Sequence, residues 1–339
     1  MKKISFAIVG YGHIGQRHAQ RILEHPYGEL SAICELPGVE VAKDTLPEGV
    51  LWYDDLTVLL QEVSFDVLCV CTPNDCHAPH TIQALKAGRH VVCEKPMALS
   101  TEECQAMIDA SGNYQRSVFV VKQNRYNEPV QQVRQLLEKG TLGRVFLIQV
   151  NCFWNRNESY YLNSAWRGKR KRDGGILFTQ FSHFVDILYY LFGMVKVLHG
   201  ELRAFNHPYT EIADNGCFIM ETASGALVSF NASVSSYEKN MEGAITILAE
   251  KGTLKIGGQY LNTIEYQHLQ EERLPDIVLG GKPNDYGAYQ GSMSNHDRVI
   301  ANVIDTLNGK GNIMTNAREG RDVVAIIEAM YASVQPQEK

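Results

Sequence analysis

Glu94-Lys95-Pro96 follows the apolar run His90-Val91-Val92-Cys93 and is the first place in this sequence where a proton could change hands. A lysine amine that is partly buried beside a second positive charge is driven toward its neutral form, down from an ordinary value of about 10.4 toward the working pH. In that form it can accept the proton of an alcohol. Pro96 fixes the neighbouring backbone, and a cis bond there would aim the lysine. The plain alternative is a surface lysine at the end of a strand, and the tripeptide alone leaves both readings open.

A second set of residues lies between Asp173 and Asp186. Past Gly174-Gly175 the spacing is helical, with Phe178, Phe181, Val185, Leu188 and Phe192 forming an apolar stripe that predicts the core face. Thr179, His183, Asp186 and Tyr190 form a polar stripe. A carboxylate three residues after His183 could hold its ring in one tautomer. A lone histidine of this kind is more often a structural hydrogen-bonder, but in a chain that also carries Lys95 it reads as a partner in proton exchange. A third set, Phe153-Trp154-Asn155-Arg156-Asn157-Glu158-Ser159-Tyr160-Tyr161 followed by Ala165-Trp166-Arg167-Gly168, offers rings that stack on a base and guanidiniums that grip an anion. Arg156, Tyr160, Arg167, Thr179, Gln180 and His183 are the candidate substrate ligands here, together with Lys95. The basic run Arg167-Gly168-Lys169-Arg170-Lys171-Arg172 is either a clamp for a diphosphate or carboxylate, or a solvated loop. It is too short, in an acidic protein, to bind nucleic acid.

The elements that must position these groups begin at the N-terminus. Ile4 to Val9 reads as a buried strand, Gly10-Tyr11-Gly12-His13-Ile14-Gly15 as a turn, and Gln16 to Leu23 as a helix. Strand, glycine turn and helix make a dinucleotide fingerprint. Gly10 allows the tight turn, Gly12 lets a pyrophosphate approach the backbone, and Gly15 lets the helix sit on the sheet. Gly10, Gly12, His13 and Ile14 are therefore candidate cofactor residues, with the helix N–H groups as the anion site. Glu35 ends the next strand, 20 residues past Gly15. An acid there can accept from both ribose hydroxyls and repels a 2′-phosphate, which selects NAD over NADP. An oxidised nicotinamide would supply the positive charge that Lys95 needs.

The chain of 339 residues is long enough for two domains. Strands and helices alternate up to Val118–Val121, which predicts an α/β Rossmann domain, a doubly wound parallel sheet, over residues 1–122. Thr101 is expected to cap one of its helices. Later strands joined by tight turns predict an α+β domain with a large open, mostly antiparallel sheet over residues 123–339, for substrate binding and oligomerisation. The final helical segments are expected to pack back on that fold. A net charge of −6 argues against a nucleic-acid partner, and no apolar stretch is long enough to span a membrane. The eight cysteines are scattered; Cys69-Val70-Cys71 would point its thiols to opposite faces of a strand. Reduced core cysteines in a cytoplasmic protein, with no metal site, are the expectation.

The glycine turn, Glu94-Lys95-Pro96 and the distal His183 together resemble the glucose-fructose oxidoreductase / inositol 2-dehydrogenase / rhizopine catabolism (Gfo/Idh/MocA) family, over nearly the whole chain. A narrower similarity rests on Val121-Lys122-Gln123-Asn124-Arg125, Phe153-Trp154, Tyr160-Tyr161, Ala165-Trp166-Arg167-Gly168, Gly174-Gly175, Gln180, Ser182-His183, Lys239-Asn240-Met241-Glu242-Gly243 and His296. These look like the family's UDP-N-acetyl-D-glucosaminuronate 3-dehydrogenases, which oxidise the sugar C3 hydroxyl to a ketone in bacterial surface-polysaccharide (lipopolysaccharide) biosynthesis. The resemblance implies that Lys95 and His183 flank the sugar C3. It implies that Gly10, Gly12, Ile14, Glu35, Thr72, Asn74, His77, Glu94 and Gln123 contact NAD, that Trp166 and Arg167 close over the nicotinamide end, and that His296 touches the substrate. It further implies a homo-oligomer, tetramer or dimer, and 2-oxoglutarate as an agent that regenerates NAD. Where much of the family has an Asp four residues before the histidine, this chain has Thr179, so Lys95 must carry more of the proton transfer. A free hexose or polyol dehydrogenase, and a nucleotide-sensing regulator on the same fold, are the alternatives.

Overall fold

A computed structural model describes residues 1–37, 39, 48–270, 273–275, 283–285 and 290–334, which divide into two compact units. The first comprises Met1–Lys122 and His296–Val324, the second Gln123–Asn295 and the chain from Ala325 onward.

In the first unit the chain alternates between strand and helix: β1 (Ile4–Val9), α1 (His13–Glu24), β2 (Gly28–Cys34), β3 (Leu51–Tyr53), α2 (Leu56–Glu62), β4 (Val67–Val70), α3 (His77–Lys86), β5 (His90–Cys93), α4 (Thr101–Tyr114) and β6 (Val118–Val120). The strands pair in parallel in the order β3-β2-β1-β4-β5-β6. Every residue of β4 is buried, as a sheet covered on both faces requires. Register fixes the site. Val9 pairs with both Cys34 and Val70, and Val70 pairs with Cys93, so four adjacent strands end in one row. The residues that follow that row are Gly10, Glu35, Cys71 and Glu94. The cap of α4 is Ser100, not the expected Thr101: its hydroxyl accepts from Glu103 N at 3.1 Å, and Glu103 returns a carboxylate oxygen to Leu99 N at 3.0 Å. Ser100 is the residue with extended backbone, which a cap needs.

The second unit holds α5 (Glu128–Glu138), β7 (Val145–Phe153), α6 (Glu158–Leu162), α7 (Arg170–Asp173), α8 (Ile176–Thr179), α9 (Ser182–Phe192), β8 (Val195–Arg203), β9 (Asn215–Thr222), β10 (Leu227–Ser233), β11 (Glu242–Ala249), β12 (Gly252–Gly257) and β13 (Thr263–Leu269). Its seven strands run β13-β12-β11-β7-β10-β9-β8, antiparallel except for β7 with β10. One face is core: Ile148, Val150, Phe218, Met220, Val228, Phe230, Ile245 and Ile247 are buried. On the other face Leu248, Leu147 and Leu227 stand side by side across three strands and are exposed. The helix expected beyond Gly175 is two: the ladder breaks at Gln180 and Phe181, between α8 and α9. Thr179 and His183 thus sit on different helices.

The last two helices are α10 (His296–Leu307) and α11 (Ala317–Ala332). Residues 296–324, read from sequence as part of the second domain, belong to the first unit, where α10 buries Val299, Ile300, Val303 and Ile304. Among the described residues no helix is long and apolar enough to cross a membrane. All eight cysteines are free thiols, six of them buried.

Candidate active site

The row of strand ends brings the predicted cofactor residues of the first unit together. Three glycines in the turn do different work. A Cβ on Gly15 would lie 2.1 Å from Gly10 O, and one on Gly10, whose φ is +86°, would lie 2.7 Å from Cys71 O. Packing alone excludes side chains at both. A Cβ on Gly12 would meet nothing within 4 Å, so nothing inside the protein demands a glycine there. A ligand that must touch the backbone does demand one. Gly12 also stands at the N-terminus of α1, where no side chain caps the free N–H groups. Gly12 and His13 are exposed and Ile14 half-buried at this opening. Glu35 accepts from Tyr11 N at 2.5 Å and Leu36 N at 2.7 Å, which leaves two of its four acceptor positions for ribose hydroxyls. The residues present therefore fit a dinucleotide.

Thr72, Asn74 and His77 lie in the connection after β4. His77 is buried and its two ring nitrogens point at backbone carbonyls, Nδ1 at Pro96 O (2.6 Å) and Nε2 at Thr72 O (2.9 Å). Burial pushes His77 toward the neutral ring, which has one N–H, so the two carbonyls compete for it. Its place is that of a clasp between the Thr72 loop and the Glu94-Lys95-Pro96 loop. The Lys95–Pro96 bond is cis, as the sequence anticipated. Lys95 is half-buried.

Glu94 is buried beside two imidazoles. Its Oε1 is 2.9 Å from His18 Nε2 and 3.5 Å from His296 Nε2, and its Oε2 accepts from Lys95 N at 3.1 Å. Burial alone would raise its carboxyl; hydrogen bonds and charge from His18 and His296 outweigh that and hold it well below the usual carboxylate range. These three side chains are the one cluster of potential metal ligands among the described residues. Ligand atoms on a tetrahedral zinc ion stand about 3.3 Å apart, whereas the His18–Glu94 contact of 2.9 Å has the length of a direct hydrogen bond. His296 is fully buried here.

In the second unit Tyr160 is the centre of the predicted substrate face. The Arg167 guanidinium lies 4.2 Å from its ring centroid and that of Arg156 5.2 Å, while its hydroxyl accepts from Gln180 Nε2 at 2.9 Å. Trp166 is half-buried beside Arg167, and Gln123, in a short helical turn, is buried. The basic run divides. Arg167 belongs to the tyrosine stack, whereas Lys169 and Arg170 are exposed and lean on Glu211.

Thr179 donates its hydroxyl to Asp173 Oδ1 at 2.5 Å. Asp173 is fully buried and also accepts from Gly168 N at 2.7 Å and Gly175 N at 3.3 Å, so one carboxylate fixes both ends of the loop that carries the basic run. Burial pushes its carboxyl up, and the hydrogen bonds and Arg167 offset this only in part. Sequence reasoning missed this hub; Asp173 next to two glycines was its one local signal. His183 is buried on α9. The carboxylate expected to serve it, Asp186, is engaged by Arg125 through a bidentate pair, Nε to Oδ2 at 3.0 Å and Nη2 to Oδ1 at 2.8 Å, both side chains buried.

Two family models match the chain: "Oxidoreductase family, NAD-binding Rossmann fold" over residues 4–122 and "GFO/IDH/MocA C-terminal domain" over residues 130–255. The WlbA dehydrogenase of Chromobacterium violaceum, whose structure holds NADH and UDP-GlcNAcA, is 33% identical, with a TM-score of 0.89 over 98% of this chain and 94% of that one. The WlbA dehydrogenase of Bordetella pertussis, crystallised with the same two ligands, is 34% identical, with a TM-score of 0.88 over 99% and 100%. Among curated proteins, the D-glucoside 3-dehydrogenase of Escherichia coli is 23% identical over 97% of this chain and 95% of its own length.

Proposed function

Since this chain belongs to the GFO/IDH/MocA family of NAD-dependent oxidoreductases, we propose that its substrate is a UDP-linked N-acetylated uronic acid, oxidised at the C3 hydroxyl. The observation that carries this reading is the full-length likeness to two dehydrogenases crystallised with UDP-GlcNAcA, at an identity well above that of the glucoside dehydrogenase. The Arg156–Tyr160–Arg167 stack supports it, since a ring flanked by guanidiniums suits a ligand with a flat base and several negative charges. NAD, when bound, takes the hydride. Lys95 accepts the hydroxyl proton, and His183 orients that hydroxyl or shares its proton. The ketone is a substrate for transamination, and reoxidation of NADH by 2-oxoglutarate is part of the same proposal, as is a cytoplasmic location. Purified protein incubated with a panel of UDP-sugars, with and without 2-oxoglutarate, should form reduced nicotinamide or ketone with the uronic acid.

The second reading, a free hexose or polyol, draws on the glucoside dehydrogenase. UDP separates the two: it should compete with the substrate, and indifference to UDP would favour the free sugar. We also propose a homo-oligomer, dimer or tetramer. The row Leu248, Leu147 and Leu227 on the open sheet face supports self-association. Leu227→Glu should lower the mass found by sedimentation velocity; an unchanged mass would rule this face out.

A further inference from the structure

His296 opens α10, far along the chain from the dinucleotide turn, yet it lies against Glu94 and His18, ring to ring with the latter at 5.4 Å. A substrate ligand needs a face open to the substrate; His296 is fully buried, and what it meets is the carboxylate behind Lys95. Glu94 in turn gives one oxygen to His18 Nε2 at 2.9 Å, with His296 Nε2 at ion-pair distance, 3.5 Å, and the other to the main-chain N–H of Lys95. We propose that His296 is a positioning residue for Lys95: with His18 it keeps Glu94 an acceptor, and Glu94 holds the lysine's backbone in place. The inference rests on the reading of Lys95 as the proton acceptor.

The physical case turns on donors. A buried carboxylate without enough of them takes up a proton and neutralises. Neutral Glu94 would lose the charge that strengthens the hydrogen bond it accepts from Lys95 N, and a proton on Oε2 would set donor against donor there. Either way the tie to Lys95 would slacken. The other titratable groups around Glu94 do not supply a proton over the working range. Cys69 and Cys71 from the β4 end are pushed up by burial, as is Cys93 on β5, to about 12. His77 on α3 is pushed toward neutral. Burial does the same to His296, helped by the nearby charges of His18 and Arg17 on α1 and opposed by Glu94. That leaves the Glu94–imidazole cluster, with the main-chain N–H of Lys95 on its other oxygen.

The test uses the full-length protein with NAD and UDP-GlcNAcA. His296→Ala should lower kcat, by up to about 100-fold as for a misplaced reacting group, while the sugar KM stays within about threefold. The acid limb of its kcat profile should move to higher pH, and His296→Asn, whose amide keeps an N–H on the Glu94 side, should restore most of the rate. A large rise in sugar KM with kcat intact would make His296 a substrate ligand and overturn the proposal; so would no effect on either. A second readout needs no turnover: the carboxyl-carbon NMR signal of Glu94, assigned with Glu94→Gln. In the wild type it should stay that of a carboxylate well below the ordinary range, and ordinary titration would overturn the proposal even if the variants fail to fold. One equivalent of tightly bound zinc at the cluster would also overturn it. If the wild type turns over no UDP-sugar but the NMR result holds, the substrate reading fails and this one stands.

Discussion

Each unit encloses a carboxylate that the mechanism leans on, and the two are kept in opposite ways. Glu94 is surrounded by groups that can carry positive charge, and its carboxyl is held well below the usual range. Asp173 accepts from a threonine hydroxyl and two backbone N–H groups and feels the Arg167 charge, yet burial wins there, so its carboxyl is raised. Burial is comparable, so the nature of the donors decides. The Glu94 carboxylate, with imidazoles against it, anchors the Lys95 loop; the Asp173 carboxylate staples the loop of the basic run.

The largest expected effect on this contrast comes from Glu94→Gln. It removes a buried charge and sets an amide N–H₂ against one of the two partners, at a cost of about 3 kcal/mol near neutral pH by denaturant unfolding. Because the folded value is depressed, that stabilisation is present above the unfolded value of about 4.3 and is lost as pH falls through the folded one. The cost of the substitution should therefore shrink on acidification. Asp173→Asn should slope the other way. Its folded value is raised, so its contribution is complete below about 3.9 and declines as pH rises through the folded value. The cost should be largest in acid and fall to about 1 kcal/mol near neutrality, where one mismatched hydrogen bond remains. Parallel slopes for the two variants would erase the distinction.

The glycine turn offers the same kind of comparison between packing and ligand. Gly15→Ala, whose Cβ would lie 2.1 Å from Gly10 O, should cost about 1–3 kcal/mol of stability. Gly12→Ala should leave stability within about 0.5 kcal/mol and instead weaken NAD binding, measured by calorimetry. Intact NAD affinity in Gly12→Ala would mean that no cofactor approaches that Cα.

What the sequence disclosed was what lies close along the chain. The turn from Gly10 to Gly15, Glu35 and the Glu94-Lys95-Pro96 tripeptide are each spelled in consecutive or evenly spaced residues, and the parallel sheet brings them to one edge. The large, mostly antiparallel sheet was legible as strands joined by tight turns; the parallel pairing of β7 with β10 was not, because local pattern does not encode it. Pairings between distant residues were hidden. Asp186 was given to His183 because it lies three residues on, and its bidentate pair with Arg125, from another element, was not foreseen. His18 showed no purpose until Glu94 was placed beside it. Asp173 and Thr179 are six residues apart, but the glycine break between α7 and α8 hides their contact from any helical spacing.

One measurement goes most directly to the chemistry. Wild type and Lys95→Met, both saturated with NAD, would be mixed with UDP-GlcNAcA and the absorbance of reduced nicotinamide followed through a single turnover. The wild type should reduce the nicotinamide, and Lys95→Met should bind NAD normally yet react about 10²–10⁴-fold more slowly, the range for loss of a proton acceptor. Reduction at the wild-type rate without the amine would contradict the role given to Lys95.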